Sequence, residues 1–191
     1  MNTIMSLIFG IVVGLGVFVL AIFFWPSSIK AAVIGAPFMP TPKKIIKKAL
    51  EAAGLKPEEK LYDLGCGTGE VLVIGEKYFQ ASAMGFEYSL PLFILSKINI
   101  FASGLKKSAV RREDIFGPKV DLRDADVVFL FLTPKAFPKL KEKFEKELKP
   151  GARVVAYSSP LLFWEPCKII EAPGASAKIY LYNNFELRNA R

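Results

Sequence analysis

The chain has 191 residues, enough for about one domain, with 26 basic against 18 acidic residues and a formal net charge of +8. It contains no histidine and only two cysteines, Cys66 and Cys167, without metal-ligand spacing. Histidine-based general-base catalysis, Ser-His-Asp triads and His-ligated metals are thereby excluded.

Residues 1–29 carry no charged side chain. Within them, residues 4–25 form an almost wholly apolar run of 22. About 20 such residues in a helix cross the roughly 30 Å hydrocarbon layer of a bilayer. No Lys or Arg precedes the run and no small-x-small cleavage site follows it, which argues against a removed signal peptide. The sequence therefore predicts one uncleaved transmembrane helix as an anchor over residues 1–29. Lys30, Lys43, Lys44, Lys47 and Lys48 follow it, so the positive-inside rule places the C-terminal body in the cytoplasm, as a single-pass membrane protein. Gly10 and Gly14 have the G-x-x-x-G spacing that permits an anchor-mediated dimer, although one such pair does not specify it. The basic cluster beside the run suits anionic lipid headgroups. No interleaved aromatic-basic motif points to nucleic acid, which is not expected as a partner.

Residues 30–40 read as a linker, within a hinge-like stretch from Pro26 to Pro40 that carries Ser27, Ser28, Gly35, Pro37 and Pro40, and residues 41–191 as the globular domain. Thr41 and Pro42 look like an N-cap with proline at the first helical position. Ile45, Ile46, Ala49 and Leu50 then recur at helical spacing, and Gly54 ends the helix. A strand is expected over 60–64, a helix over 69–79, a strand over 82–87 and a helix over 89–103. Strands follow over 108–112 and 125–132, then a helix over 134–148 and a strand over 152–158. The alternation of strand and helix argues for an α/β fold with a doubly wound parallel sheet. The continuous apolar run over 126–132 suits a central strand covered on both faces. Segments 168–172 and 177–187, separated by Pro173-Gly174-Ala175-Ser176, read as a C-terminal antiparallel hairpin. Only about ten residues separate it from the preceding strand, too few for the usual crossover helix.

The chemistry concentrates in Leu61-Tyr-Asp63-Leu-Gly65-Cys66-Gly67-Thr-Gly69. An apolar strand ends at Asp63, glycines stand at alternate positions, and a helix begins. Glycine allows backbone to approach a ligand closely, and the helix N-terminus offers N–H groups to a carboxylate or phosphate. A dinucleotide site of the G-x-G-x-x-G kind requires glycine at position 70, which is Glu70. Asp63 can accept from the α-amino group of a bound amino acid. Glu87, closing the next strand, can hold both hydroxyls of a ribose. Asp114 can accept from an adenine amine, with Ile115 as an apolar contact. Thr133, after the fourth strand, can accept a hydrogen bond from an amine, or simply start a helix. Trp164 and Tyr157 could wall in an ammonium group, or belong to the core.

The pattern D-x-G-x-G-x-G resembles motif I of class I S-adenosylmethionine-dependent methyltransferases. With Pro37-Phe38-Met39-Pro40-Thr41-Pro42, Glu87, Phe129-Leu-Phe-Leu-Thr-Pro134, Gly151-Ala-Arg-Val-Val155, Ser159-Pro160 and Trp164, the chain resembles the membrane-anchored protein-lysine methyltransferases. That family includes the enzymes of the ATP-synthase c-subunit and the adenine-nucleotide translocase. The resemblance implies a Rossmann-like methyltransferase sheet, S-adenosyl-L-methionine as cofactor, and transfer of methyl to a lysine ε-amine of a membrane-associated protein. It places Asp63, Gly65, Cys66, Gly67, Gly69 and Glu87 at the cofactor, with Asp114 and Ile115 on the adenine side. Thr41 falls at the mouth of the site, and Thr133 and Trp164 near the methyl group. The c-subunit or translocase substrate itself does not carry over. A methyltransferase of lipids or small amphiphiles, and a non-catalytic membrane scaffold, remain as alternatives.

Overall fold

The computed structural model describes residues 4–18, 39–174 and 176–183. Helix α1, over residues 4–18, exposes its apolar side chains. The expected transmembrane helix is not found: among the described residues no helix is long and apolar enough to cross a membrane. The described stretch of α1 is shorter than the about 20 residues a span requires. Residues 19–38, which complete the expected run and most of the linker, lie outside the described residues, and so do residues 184–187 of the last expected strand.

The body is built around one sheet. Its strands are β1 (Lys60–Leu64), β2 (Ser82–Phe86), β3 (Ser108–Arg111), β4 (Val127–Leu130), β5 (Arg153–Tyr157), β6 (Lys168–Glu171) and β7 (Lys178–Asn183). They lie in the order β3-β2-β1-β4-β5-β7-β6. The first five are parallel, and β7 runs antiparallel to both β5 and β6. The doubly wound sheet and its closing hairpin are as expected. The order reverses between β1 and β4, and the carboxyl ends on either side of such a reversal form a crevice.

Helices α2 (Lys43–Ala52), α3 (Glu70–Phe79) and α4 (Leu90–Ala102) precede or link the first three strands, and α5 (Phe137–Glu147) links β4 to β5. Ile45, Ile46 and Leu50 of α2 and Leu72 and Ile74 of α3 pack on Leu61, Val127, Phe129 and Val155 from the sheet. On the other face Phe137, Leu140 and Phe144 of α5 pack on Leu64, Phe86, Val128, Leu130 and Val154. All four residues of β4 are buried, so its unbroken apolar run serves both faces.

Three differences from the sequence reading have local causes. Pro42, not Thr41, caps α2, and no side chain completes that cap. Strand β4 is shorter than expected because its pairing with β1 and β5 ends at Leu130. The helix after it opens as a 3-10 turn at Pro134–Ala136 before α5, since prolines at 134 and 138 deny it two backbone donors.

Residues 112–126, between β3 and β4, form no helix. They cover the sheet with Ile115, Val120, Leu122 and Ala125 instead. Glu147 of α5 holds this crossover, accepting from the Leu122 N–H at 2.9 Å and from Lys143 Nζ at 2.9 Å. Arg153 at the start of β5 pins the end of α2: its guanidinium donates to the carbonyls of Ala53 and Gly54 and pairs with Glu59 at 2.7 Å. A cation on those last carbonyls satisfies orphan acceptors and complements the helix dipole.

Candidate active site

Asp63 leaves β1 on the side of α3, and the chain turns at once into the glycine loop. Gly65, Gly67 and Gly69 have φ of 86°, 54° and 81°, left-handed values that a side chain disfavours. The turn is fixed by the Gly65 and Cys66 N–H groups, which both donate to the Phe86 carbonyl at 2.9 and 3.0 Å. Loop and β2 therefore lock together, and α3 starts at Glu70.

Glu87 follows β2 and reaches back to the loop. Its Oε2 accepts from the Gly67 N–H at 2.9 Å and its Oε1 from the Ser89 N–H at 2.7 Å. Asp63 and Glu87 are 3 % and 8 % exposed. Burial, then the neighbouring Glu87 charge, pushes the Asp63 carboxyl well above its ordinary range. Burial also raises Glu87, against the lowering effect of its N–H donors. The two carboxylates thus face one region, and among the described residues no ion pair neutralises either. Cys66, buried between them and Gly85, has its thiol raised by burial and by the same two acids.

This arrangement fits S-adenosylmethionine. Two buried acids without a cation favour a ligand bearing ammonium and sulfonium charge. Each carboxylate offers about four acceptor sites, so Glu87 retains capacity for a ribose diol while holding Gly67.

The remaining expected residues distribute as follows. Thr41 lies one residue before the α2 cap. Lys43 pairs with Glu70 at 3.3 Å, which brings that end of α2 to the start of α3 behind the loop. Asp114 closes a turn after β3, its Oδ1 accepting from the Phe116 N–H at 3.0 Å. Ile115 beside it is buried with Leu64, Leu130 and Leu132. Thr133 follows β4, and its buried Oγ1 has no hydrogen-bond partner among the described residues. Trp164 and Tyr157 do not form a common wall. Trp164 stacks on Phe144 at 5.7 Å and contacts Phe163 and Tyr182 on the α5 face. Tyr157 packs on Phe131 at 4.7 Å on the opposite side. The sheet separates the two rings: Tyr157 projects from β5 towards Phe131, whereas the loop after β5 carries Trp164 onto Phe144 of α5.

Two residues of α4 were not singled out from sequence. Asn99 donates to the Thr68 carbonyl at 2.9 Å, and the fully buried Ser96 lies under Gly69. A polar pair at i and i+3 in an apolar helix is the signal that marks them. A groove of about 410 Å³ between Tyr62, Met84, Arg111 and Asp121 is not part of this site. It opens on the face opposite Asp63, beside the crossover that lacks a helix.

The profile of the ANTKMT methyltransferase domain matches residues 63–168, from the first site acid to β6. The chain belongs to that family. A protein-lysine N-methyltransferase of Saccharolobus islandicus is 33 % identical over 76 % of this chain and 92 % of its own. The mouse adenine nucleotide translocase lysine N-methyltransferase is 34 % identical over 58 % of this chain, which spans about half of that relative (48 %). Among solved structures, an RNA methyltransferase from Salinibacter ruber, in complex with S-adenosyl-L-homocysteine, superposes with a TM-score of 0.71. It is 28 % identical and covers 76 % of this chain and 93 % of its own. The protein is an S-adenosylmethionine-dependent methyltransferase. Asp63, the glycine loop and Glu87 are the part of its structure that fits the cofactor.

Proposed function

We propose that this methyltransferase modifies lysine ε-amines of a membrane-associated protein. The observation that carries the reading is the pair of buried, cation-free acids over the left-handed glycine loop, in a chain related to lysine methyltransferases. Asp63 holds the cofactor's ammonium and Glu87 its ribose, while the N–H groups at the start of α3 face its carboxylate. Asp114 and Ile115 flank the adenine. Bound S-adenosylmethionine supplies a methyl group on a positively charged sulfur.

The protein's task is then to align a neutral amine. A lysine ammonium with an ordinary pKa near 10.4 must lose its proton to become a nucleophile. The partnerless Thr133 Oγ1 offers an acceptor that orients the amine, and Phe131 with Tyr157 supplies an apolar wall that disfavours the charged form.

The uncharged run over residues 4–25, followed by five lysines, supports tethering to a membrane with the body on the cytoplasmic side. The name of the mouse relative, an adenine nucleotide translocase lysine N-methyltransferase, supports an acceptor at a membrane.

The test is incubation of the 191-residue chain and radiolabelled cofactor with native membranes. The label is expected in membrane protein, on lysines identified by peptide mass spectrometry. Label confined to solvent-extracted lipid would establish the amphiphile reading instead, and label confined to RNA would establish neither.

A further inference from the structure

Helix α4 carries apolar side chains on both sides, Phe93 and Ile100 packing against the core. Ser96 and Asn99 face the glycine loop, whereas Ile94, Leu95, Ile98 and Phe101 point outward, the last 88 % exposed. Positions 94, 98 and 101 follow the i, i+4, i+7 rule, so they form one stripe. Helices on a water-facing surface put their polar stripe outward, and contiguous exposed apolar patches mark interaction sites.

Charge identifies the occupant. Residues 88–112 contain no Asp or Glu; Lys97 lies on α4 itself, Lys106 follows it and Arg112 donates to the Tyr88 carbonyl before it, whereas Lys107 pairs with Glu58 and Arg111 lines the groove on the other face. An apolar stripe with a basic border suits the headgroup boundary of an anionic bilayer. A second copy would set the same basic border against itself. Residues 26–42 join the apolar run to α2 and reach at most about 60 Å when extended. A bilayer that holds the run is therefore within reach of the body.

We propose that the outward face of α4 is a bilayer-docking surface, with Ile94, Leu95, Ile98 and Phe101 dipping into the acyl boundary and Lys97 meeting anionic headgroups. This rests on the tethering described above. The inner face of the same helix supports the cofactor loop, so docking fixes the height of the methyl-transfer site above the membrane.

The experiment uses the 191-residue chain in vesicles of phosphatidylcholine and phosphatidylglycerol containing a lipid nitroxide placed shallowly on the acyl chain. A fluorophore is attached through Ile98→Cys in a Cys167→Ser background, Cys66 being buried. Glu142→Cys on α5 and Val17→Cys in the apolar run are labelled separately. The label at position 98 is expected to lose fluorescence and the label at 142 to keep it. Unquenched fluorescence at 98 with quenching at 17 overturns docking and leaves the tether standing. Quenching at 98 without quenching at 17 overturns the tether and leaves docking to stand on the helix alone. Cross-linking of position 98 between copies, without quenching, overturns docking in favour of a dimer face.

Discussion

Asp63 is held in its site at a cost to the fold. A carboxyl that titrates higher in the folded than in the unfolded chain stabilises the fold only while protonated. That contribution is complete below the unfolded value near 3.8 and is lost as pH rises through the raised native value. Asp63→Asn should therefore raise the melting temperature of the ligand-free protein at neutral pH by about 2–6 °C. The same substitution should abolish cofactor binding, read by isothermal titration. Unchanged affinity would remove Asp63 from the site. The raised values of Asp63 and Glu87 also predict linked protonation. A cationic ligand favours both ionised forms, so binding should release protons and tighten as pH rises above the ordinary carboxylate range. Titration in buffers of different ionisation enthalpy measures that release. Gly85 provides the steric counterpart: a Cβ there would stand 2.7 Å from Cys66 Sγ. Gly85→Ala should push the loop off β2, weakening cofactor binding by about tenfold or more and costing about 1–3 kcal/mol of stability.

Secondary-structure elements here are held by few but specific side chains. Arg153 joins β5 to the last carbonyls of α2 and to Glu59. Its removal leaves two carbonyls and a partly buried carboxylate without their donor, so Arg153→Ala should destabilise by about 2–4 kcal/mol, measured by urea denaturation. Lys143→Met would leave Glu147 without its Lys143 partner, whereas Glu147 carries the crossover itself through the Leu122 N–H. The same economy explains α4. Its outer face adds little to the core, and its place is set by Phe93 and Ile100 on the core and by Ser96 and Asn99 on the loop.

For the molecule as a whole, ligand binding and folding are one equilibrium, because loop, β2 and α4 meet only in the native state. S-adenosylhomocysteine at about 100 times its dissociation constant should add about 2.7 kcal/mol, a rise of about 5–10 °C in melting temperature. Differential scanning fluorimetry checks it, and the rise should vanish in Asp63→Asn. The net charge of +8 sets no part of the fold but favours anionic surfaces. The basic residues around α4 put part of that charge where the apolar stripe is.

Local patterning determined much of this protein. Strand β1 was readable residue for residue, because an apolar run ends in Asp63 and Gly65 punctuates it. The hairpin of β6 and β7 and the missing helix before it followed from a Pro-Gly turn and a short connection. Asp63, the glycines and Glu87 were legible as a candidate site because an acid stands at the end of each of two strands and glycines punctuate the turn from the first strand to a helix. Other features required the folded chain. Asn99 meets Thr68 across 31 positions, and Ser96 lies under Gly69. Trp164 turns to Phe144 rather than Tyr157, because the face a loop residue takes depends on which element lies beneath it. Periodicity announced α4 as a helix, but period fixes only which residues share a stripe. Which stripe faces inward is decided by the neighbour it meets, and here that neighbour is the core for Phe93 and Ile100 and the glycine loop for Ser96 and Asn99.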